Sequence, residues 1–401
     1  MLIKQIRYNN FLALLILLQS VTIFSASFNN LYLYIVLPFL AIIALSYKKY
    51  DIFLKDRLFK IYSIFILIYL INTFFFSIDL QSSLSLLKTF IGYYLVAFII
   101  DAYSSNYRYL KVFLWFYFLY YIFIWFLGVF DYGFLNIDYS FGRAGGEGLN
   151  ANRFGYFTFY ITFIVYILGE LSHKRKNILL FQYLFLLMPL ISFFTAILTG
   201  SRQVLIIQIP FITILIMLRY FSKINTRTIF FVFLFFLTFA FIYDNIIDIY
   251  NNSFLSRRMD KDIVEDTRYY LLLLGFEIGF DNFFTGVGLN NYKLFSNGMI
   301  SHSSFSEAFS EAGIFALIAY VYLLYIFTKM QLQRYFSTKN KMFLSFVWFG
   351  VFYFVFNFFY VFYEFGLLIA FIFLVENLSQ HIYNKQIQLS LEDIQLIQDK
   401  D

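Results

Sequence analysis

Phe11 to Phe28 reads FLALLILLQSVTIFSASF, an apolar run that follows Lys4 and Arg7 and is itself followed almost at once by a second run centred near Phe39. A charged start and an apolar middle also describe a secretory leader. Here no small-residue cleavage site separates the two runs, so the segment is read as a retained membrane helix. Composition extends that reading to the whole chain. It is 61% hydrophobic and 13% charged with a mean hydropathy of +0.72, whereas soluble domains are about 45–50% apolar and about 25% charged. With Cys 0, disulfides and thiolate chemistry are excluded and the redox compartment is left open. With Pro 3, the helices are expected to be largely unkinked.

Crossing roughly 30 Å of hydrocarbon takes about 20 residues, and about twelve runs are long enough. They centre near Leu18, Phe39, Tyr69, Leu95, Tyr120, Ile161, Leu187, Phe211, Phe236, Tyr320, Val351 and Phe371. Lys48, Lys49, Lys55, Arg57 and Lys60 fall between the second and third runs, Lys174 to Lys176 between the sixth and seventh, and Lys329, Arg334, Lys339 and Lys341 between the tenth and eleventh. Positive short loops stay inside, so both termini are expected in the cytoplasm, with roughly 21 of the 30 basic residues on that side. The organisation that follows is helices over 1–130, a Gly/Asn/Arg loop at 131–153, helices over 154–247, a large outer loop at 248–304, helices over 305–380 and a tail at 381–401. The tail reads either as a short amphipathic helix or as disordered chain.

The outer side carries arginine where topology gives no reason for it: Arg143, Arg153, Arg202, Arg257, Arg258 and Arg268. A guanidinium binds phosphate oxygens through a planar fork and keeps its charge, so it suits a pyrophosphate better than an ammonium does. Arg257 and Arg258 have acidic residues at hand in Asp248, Asp260, Asp262, Glu265 and Asp266, and loop salt bridges account for these two better than a ligand does. Arg202 sits in Leu198-Thr199-Gly200-Ser201-Arg202, a short break between two spans, where charge is costly without a cavity or partner. Arg143 and Arg153 flank a glycine-rich segment containing Glu147, Asn150 and Asn152, whose amides suit an anion-binding nest. Arg268 opens an apolar run and is expected in the first turn of a helix lying against the membrane body.

Of the 3 histidines, His173 and His381 read as solvated polar residues. His302 stands at the outer mouth of the tenth span. A helix starting near Ser303 places Ser303, Glu307 and Glu311 on one face. The carboxylates would then orient the imidazole or bind an acceptor, with the imidazole as general base. The alternative is an N-capping serine with ordinary first-turn acids.

Thr199-Gly200-Ser201-Arg202 after an apolar helix, Arg268 upstream of Gly286-Val287-Gly288-Leu289-Asn290-Asn291-Tyr292, and His302 followed by Glu307 and Ala312-Gly313-Ile314 resemble the O-antigen ligase and Wzy-type polymerase superfamily. Gly148-Leu149-Asn150-Ala151-Asn152-Arg153 resembles a stretch ahead of a central helix in such polymerases. The likeness runs from Arg143 to Leu317, with His302-Ser303 where the family often has His-Asn and Asn282-Phe283 where it often has Asn-Pro.

The resemblance implies an all-α polytopic membrane protein of GT-C-like architecture, with about twelve helices and one large periplasmic loop. It would lie in the bacterial inner membrane with its active site periplasmic. It implies metal-independent glycosyl transfer without a cofactor, from an undecaprenyl-pyrophosphate-linked oligosaccharide to a hydroxyl of a second lipid-linked repeat unit. Arg202 and Arg268 would hold the pyrophosphate with Arg143 or Arg153, and His302 would act with Glu307. Asn150, Asn152, Glu147 and Glu311 would meet the sugars, membrane lipid would surround the site, and a chain-length regulator protein would be a further partner. No Walker A motif, dinucleotide fingerprint or metal-ligand spacing competes with this, and nothing suggests nucleic acid. A ligase acting on lipid A core shares the same logic. A flippase is the reading from another class, although transporters show repeated halves and none is evident here.

Overall fold

The structure, a computed structural model, describes residues 29–46, 56–103, 107–130, 151–172, 175–202, 204–220, 248, 250–251, 256, 267–358 and 366–398. The run from Phe11 to Phe28, the span near Phe236, Arg143, Glu147, Asn150, Arg257 and Arg258 lie outside the described residues, as does His173. The described elements are helical. They are α1 (Leu37–Ser46), α2 (Arg57–Phe75), α3 (Leu80–Tyr103), α4 (Tyr107–Phe130), α5 (Ala151–Leu171), α6 (Arg175–Thr199), α7 (Ile209–Tyr220), α8 (Thr267–Asp281), α9 (Ser304–Thr338), α10 (Lys341–Phe358) and α11 (Gly366–Gln398). Among the described residues α2, α3, α9, α10 and Leu180–Thr199 of α6 are long and apolar enough to cross a membrane, and four shorter apolar helices accompany them.

The chain divides into two compact units, Met1–Phe116 with Thr267–Asp401, and Tyr117–Asp266. In the first unit α9 is the hub, packing against α2, α8, α10 and α11. Why α2 takes part can be read from its spacing. Asp56 caps its start by accepting from the Phe59 amide at 2.8 Å. Phe59, Tyr62, Phe65 and Tyr69 recur on one buried face, where Phe59 and Tyr62 meet Phe373 of α11 and Phe65 meets Tyr320 of α9. Ile64, Leu67, Ile71 and Phe74, on the other side, are apolar and exposed. A helix that is apolar all round belongs in a membrane or a large core.

One buried charge in this bundle is paired. Arg334 of α9 grips Glu376 of α11 through both oxygens, at 2.5 and 3.0 Å, and also donates to Ser379 at 2.8 Å and to Gln380. Gln331 adds a bond to Glu376 at 2.5 Å. Satisfying every donor is what makes a buried ion pair tolerable. On a neighbouring contact, Asn377 donates to Asp101 at 2.9 Å and joins α11 to α3.

In the second unit α5 packs on α6, and a π turn at Val204–Gln208 leads into α7. Gln208 accepts from Thr158 at 2.7 Å and donates to Ser192 at 2.6 Å, so one buried amide joins three elements. Arg219 pairs with Glu170 at 3.3 Å and stands 5.8 Å from the rings of Tyr166, Phe185 and Tyr220.

The helices are not the unkinked rods that scarce proline predicts. A proline ring clashes with the carbonyl four residues back. Ahead of Pro38 and Pro210 that carbonyl falls inside a π turn, at Tyr32–Val36 and Val204–Gln208, where the wider turn gives the ring room. Pro189 is inside α6. The largest irregularity involves no proline: α9 breaks at Gly313, with φ 76° and ψ −174°. From Ile314 to Thr338 the helix runs about 37 Å at 1.5 Å per residue, enough to cross roughly 30 Å of hydrocarbon alone. The nine residues before the break, 304–312, are therefore free to serve another purpose.

Candidate functional site

The site begins with α8 and the first turns of α9. Gly275 and Gly279 stand four apart on α8, the small-residue spacing that lets two helix backbones approach closely. A Cβ on Gly275 would come within 2.9 Å of Ser306, and one on Gly279 within 2.4 Å of the Phe309 ring. Beyond the end of α8, Ile314 N–H donates to Phe283 O at 2.8 Å. Contacts advance along both segments together, so the two run parallel in a constant register. On α8, Arg268 lies about one turn, roughly 5 Å, before Leu271.

The turn from Asn282 to Tyr292 is bonded to the broken stretch of α9. Because Ile314 N–H has turned to Phe283, the Ser310 carbonyl loses its helix-ladder donor, and the adjacent Glu311 carbonyl is also bonded from outside the helix. They accept from Val287 N–H at 2.8 Å and Gly288 N–H at 2.9 Å. The outer flank of the turn is tied to the segment joining α2 and α3 and to the start of α3: Asn291 donates to Ser77 at 2.9 Å, Asn290 to Ser82 at 2.7 Å, and Ser83 to Leu289 O at 2.5 Å. Tyr292 closes the ring by donating to Leu271 O at 2.7 Å, one turn after Arg268. Burial, then the charge of Glu307 and the ring of Tyr270, hold the Tyr292 hydroxyl above the ordinary phenol range. Ile68, Ile71, Phe284 and Phe315 are among the walls of a groove of about 440 Å³ beside this joint.

His302 occupies a sharp bend. Its φ is 59°, the left-handed region that side chains with a Cβ rarely enter. Ser303 then caps α9 in extended conformation, accepting from Ser306 N–H, which is the capping alternative the sequence offers. Ser301 donates to Ser303 O at 2.9 Å, accepts from Ser303 N–H at 3.2 Å and reaches Glu307 Oε2 at 3.4 Å. The Ser303 hydroxyl donates to Asn357 O at 3.4 Å, and Asn357 in turn accepts from Tyr320 at 2.5 Å. His302 is half-buried, whereas Ser301, Ser303, Ser304, Ser306 and Glu307 are fully buried.

Four of the residues singled out by sequence, Arg268, His302, Glu307 and Glu311, thus belong to one unit and one parallel helix pair. Glu307 and Glu311 are both buried, at 0% and 1% exposure. Glu307 lies against Ser301, while Glu311 faces the amides of Asn290 and Tyr292 and the Lys293 ammonium. Arg202 is half-buried in the other unit. Its position follows from a C-terminal cap on α6, where Ser201 N–H donates to Ala196 O at 3.2 Å and Gly200 N–H to Ile197 O at 3.3 Å. Asn152 and Arg153 lie in the first turn of α5, of which the backbone is described. Sequence reasoning missed the Gly275–Gly279 pair, whose spacing was legible, and Ser301 and Asn357, whose partners are not adjacent in sequence.

With its described elements helical and five such spans among them, the chain is a polytopic membrane protein. Residues 187–321 match the O-antigen ligase family, which bears out the resemblance to the O-antigen ligase and Wzy-type polymerase superfamily. The matched stretch takes in Arg202, Arg268, His302, Glu307 and Glu311. No curated protein matches the chain.

Proposed function

We propose that the protein is a Wzy-type polymerase that moves a growing glycan from undecaprenyl pyrophosphate to a hydroxyl of another lipid-linked repeat unit at the periplasmic face. The observation carrying this reading is that the matched stretch holds Arg202, Arg268 and His302 together. Departure of pyrophosphate builds negative charge, and guanidinium groups aimed at its oxygens stabilise that charge as it forms. Arg202 and Arg268 take that role, with Arg143 or Arg153 assisting. His302 accepts the proton of the attacking hydroxyl, and Glu307 supports it from within. The groove beside the Gly286–Gly313 joint has apolar walls and a volume suited to a hydrocarbon chain, which supports a lipid-linked substrate.

Twelve helices, cytoplasmic termini, sugar contacts from Glu147, Asn150 and Asn152, and a chain-length regulator as partner belong to the same proposal, whereas Glu311, 1% exposed, stands behind the surface of the site and not against a sugar. The test is to incubate the purified protein in nanodiscs with a lipid-linked repeat unit as sole substrate. A glycan ladder is expected. The description of the matching family favours a second reading, transfer to lipid A core. Product formed only after that acceptor is added would establish it, and lipid flipping without covalent change would overturn both.

A further inference from the structure

We propose that Ser301 is a positioning residue that sets the direction of the His302 imidazole, an inference resting on the role given to His302 above. The Ser301 hydroxyl bonds both main-chain polar groups of residue 303, accepting from its N–H at 3.2 Å and donating to its C=O at 2.9 Å. His302 is the one residue spanned by this clamp, and it is held at φ 59°. A residue with a Cβ leaves that region readily unless its surroundings fix it. The clamp is anchored on both sides. Glu307 Oε2, one turn into α9, is a second acceptor 3.4 Å from the same hydroxyl, and the Ser303 hydroxyl is tied to Asn357 of α10 at 3.4 Å. Ser301 has one proton for two acceptors, so the buried carboxylate and the bend share a single hydrogen. Ser301 is fully buried and so does not itself meet substrate. Its effect passes through the backbone that aims its neighbour.

The chain's 3 histidines allow a direct test that needs no substrate. In a His173→Gln/His381→Gln background, His302 is the only source of imidazole signals in isotope-labelled protein in nanodiscs. One set of signals is expected. Ser301→Ala should move or split it as residue 302 escapes the left-handed region, and Ser301→Thr should preserve it where the isosteric Ser301→Val does not. Unchanged imidazole signals in Ser301→Ala would overturn the proposal. If Thr and Val both disturb the packing, the comparison of Ala with the parent decides. In the transfer assay, Ser301→Ala should lower kcat by roughly ten- to a hundredfold with KM for the donor unchanged. An inactive parent protein would sink the polymerase reading while leaving the imidazole comparison intact.

Discussion

Gly286 and Gly313 interlock. A Cβ on Gly286 would lie 2.4 Å from the carbonyl carbon of Glu311, and one on Gly313 would lie 2.4 Å from Phe284 O. Both have positive φ, 65° and 76°. Each glycine thus occupies the place where the other's segment leaves no room, and the joint they make carries the loop that ends at His302.

Alanine at either glycine combines a strained backbone with a steric clash against main chain, which cannot swing aside. Gly286→Ala and Gly313→Ala should each cost about 2–4 kcal/mol in thermal unfolding. Gly298 has a φ of 82° but nothing near its Cβ position. Gly298→Ala should therefore lose only about 1 kcal/mol, and equal losses at all three positions would refute the interlock.

His302 pays for its left-handed backbone whatever its side chain, unless that side chain is removed altogether. His302→Gly should be about 1 kcal/mol more stable than His302→Ala, and both should be inactive in transfer. Full activity of a folded His302→Ala protein would remove the imidazole from the mechanism.

Arg202→Lys keeps the charge but loses the bidentate fork. If Arg202 clamps pyrophosphate, the lysine variant should be impaired nearly as much as Arg202→Ala, by at least roughly tenfold in kcat/KM. Wild-type turnover in the lysine variant would count against the clamp.

Replacing Arg334 by methionine leaves Glu376 buried without its cation. Unfolding stability should fall by about 3–5 kcal/mol, and Arg334→Met/Glu376→Leu should recover most of it. A double variant no more stable than the single one would show that the pair does more than neutralise itself.

Local features of the fold were legible. The apolar runs centred near Tyr69, Leu95, Tyr320 and Val351 became α2, α3, α9 and α10, and the start of α9 at Ser303 with its capping alternative was legible because capping depends on a few adjacent residues. The break at Gly313 was not legible, since helix signals continue through it and its replacement partner, Phe283 O, is distant in sequence. The π turns were missed because counting prolines says nothing about how each is accommodated. At the site, residue types pointed to Arg268, His302 and Glu307, whereas Ser301 and Asn357 had no signature apart from their three-dimensional partners.

The break in α9 also separates two evolutionary problems. The turns before Gly313 are bonded to α8 and to the turn at Asn282–Tyr292, while the stretch after it packs as an ordinary span. On the rim, the exposed Leu294, Phe295 and Met299 can change without repacking the bundle, whereas Leu289, Asn291 and Tyr292 are held at 0% exposure. The spans, in turn, can drift with lipid thickness or composition without moving the rim. One stretch of chain thus works as a bracket before Gly313 and as a membrane span after it.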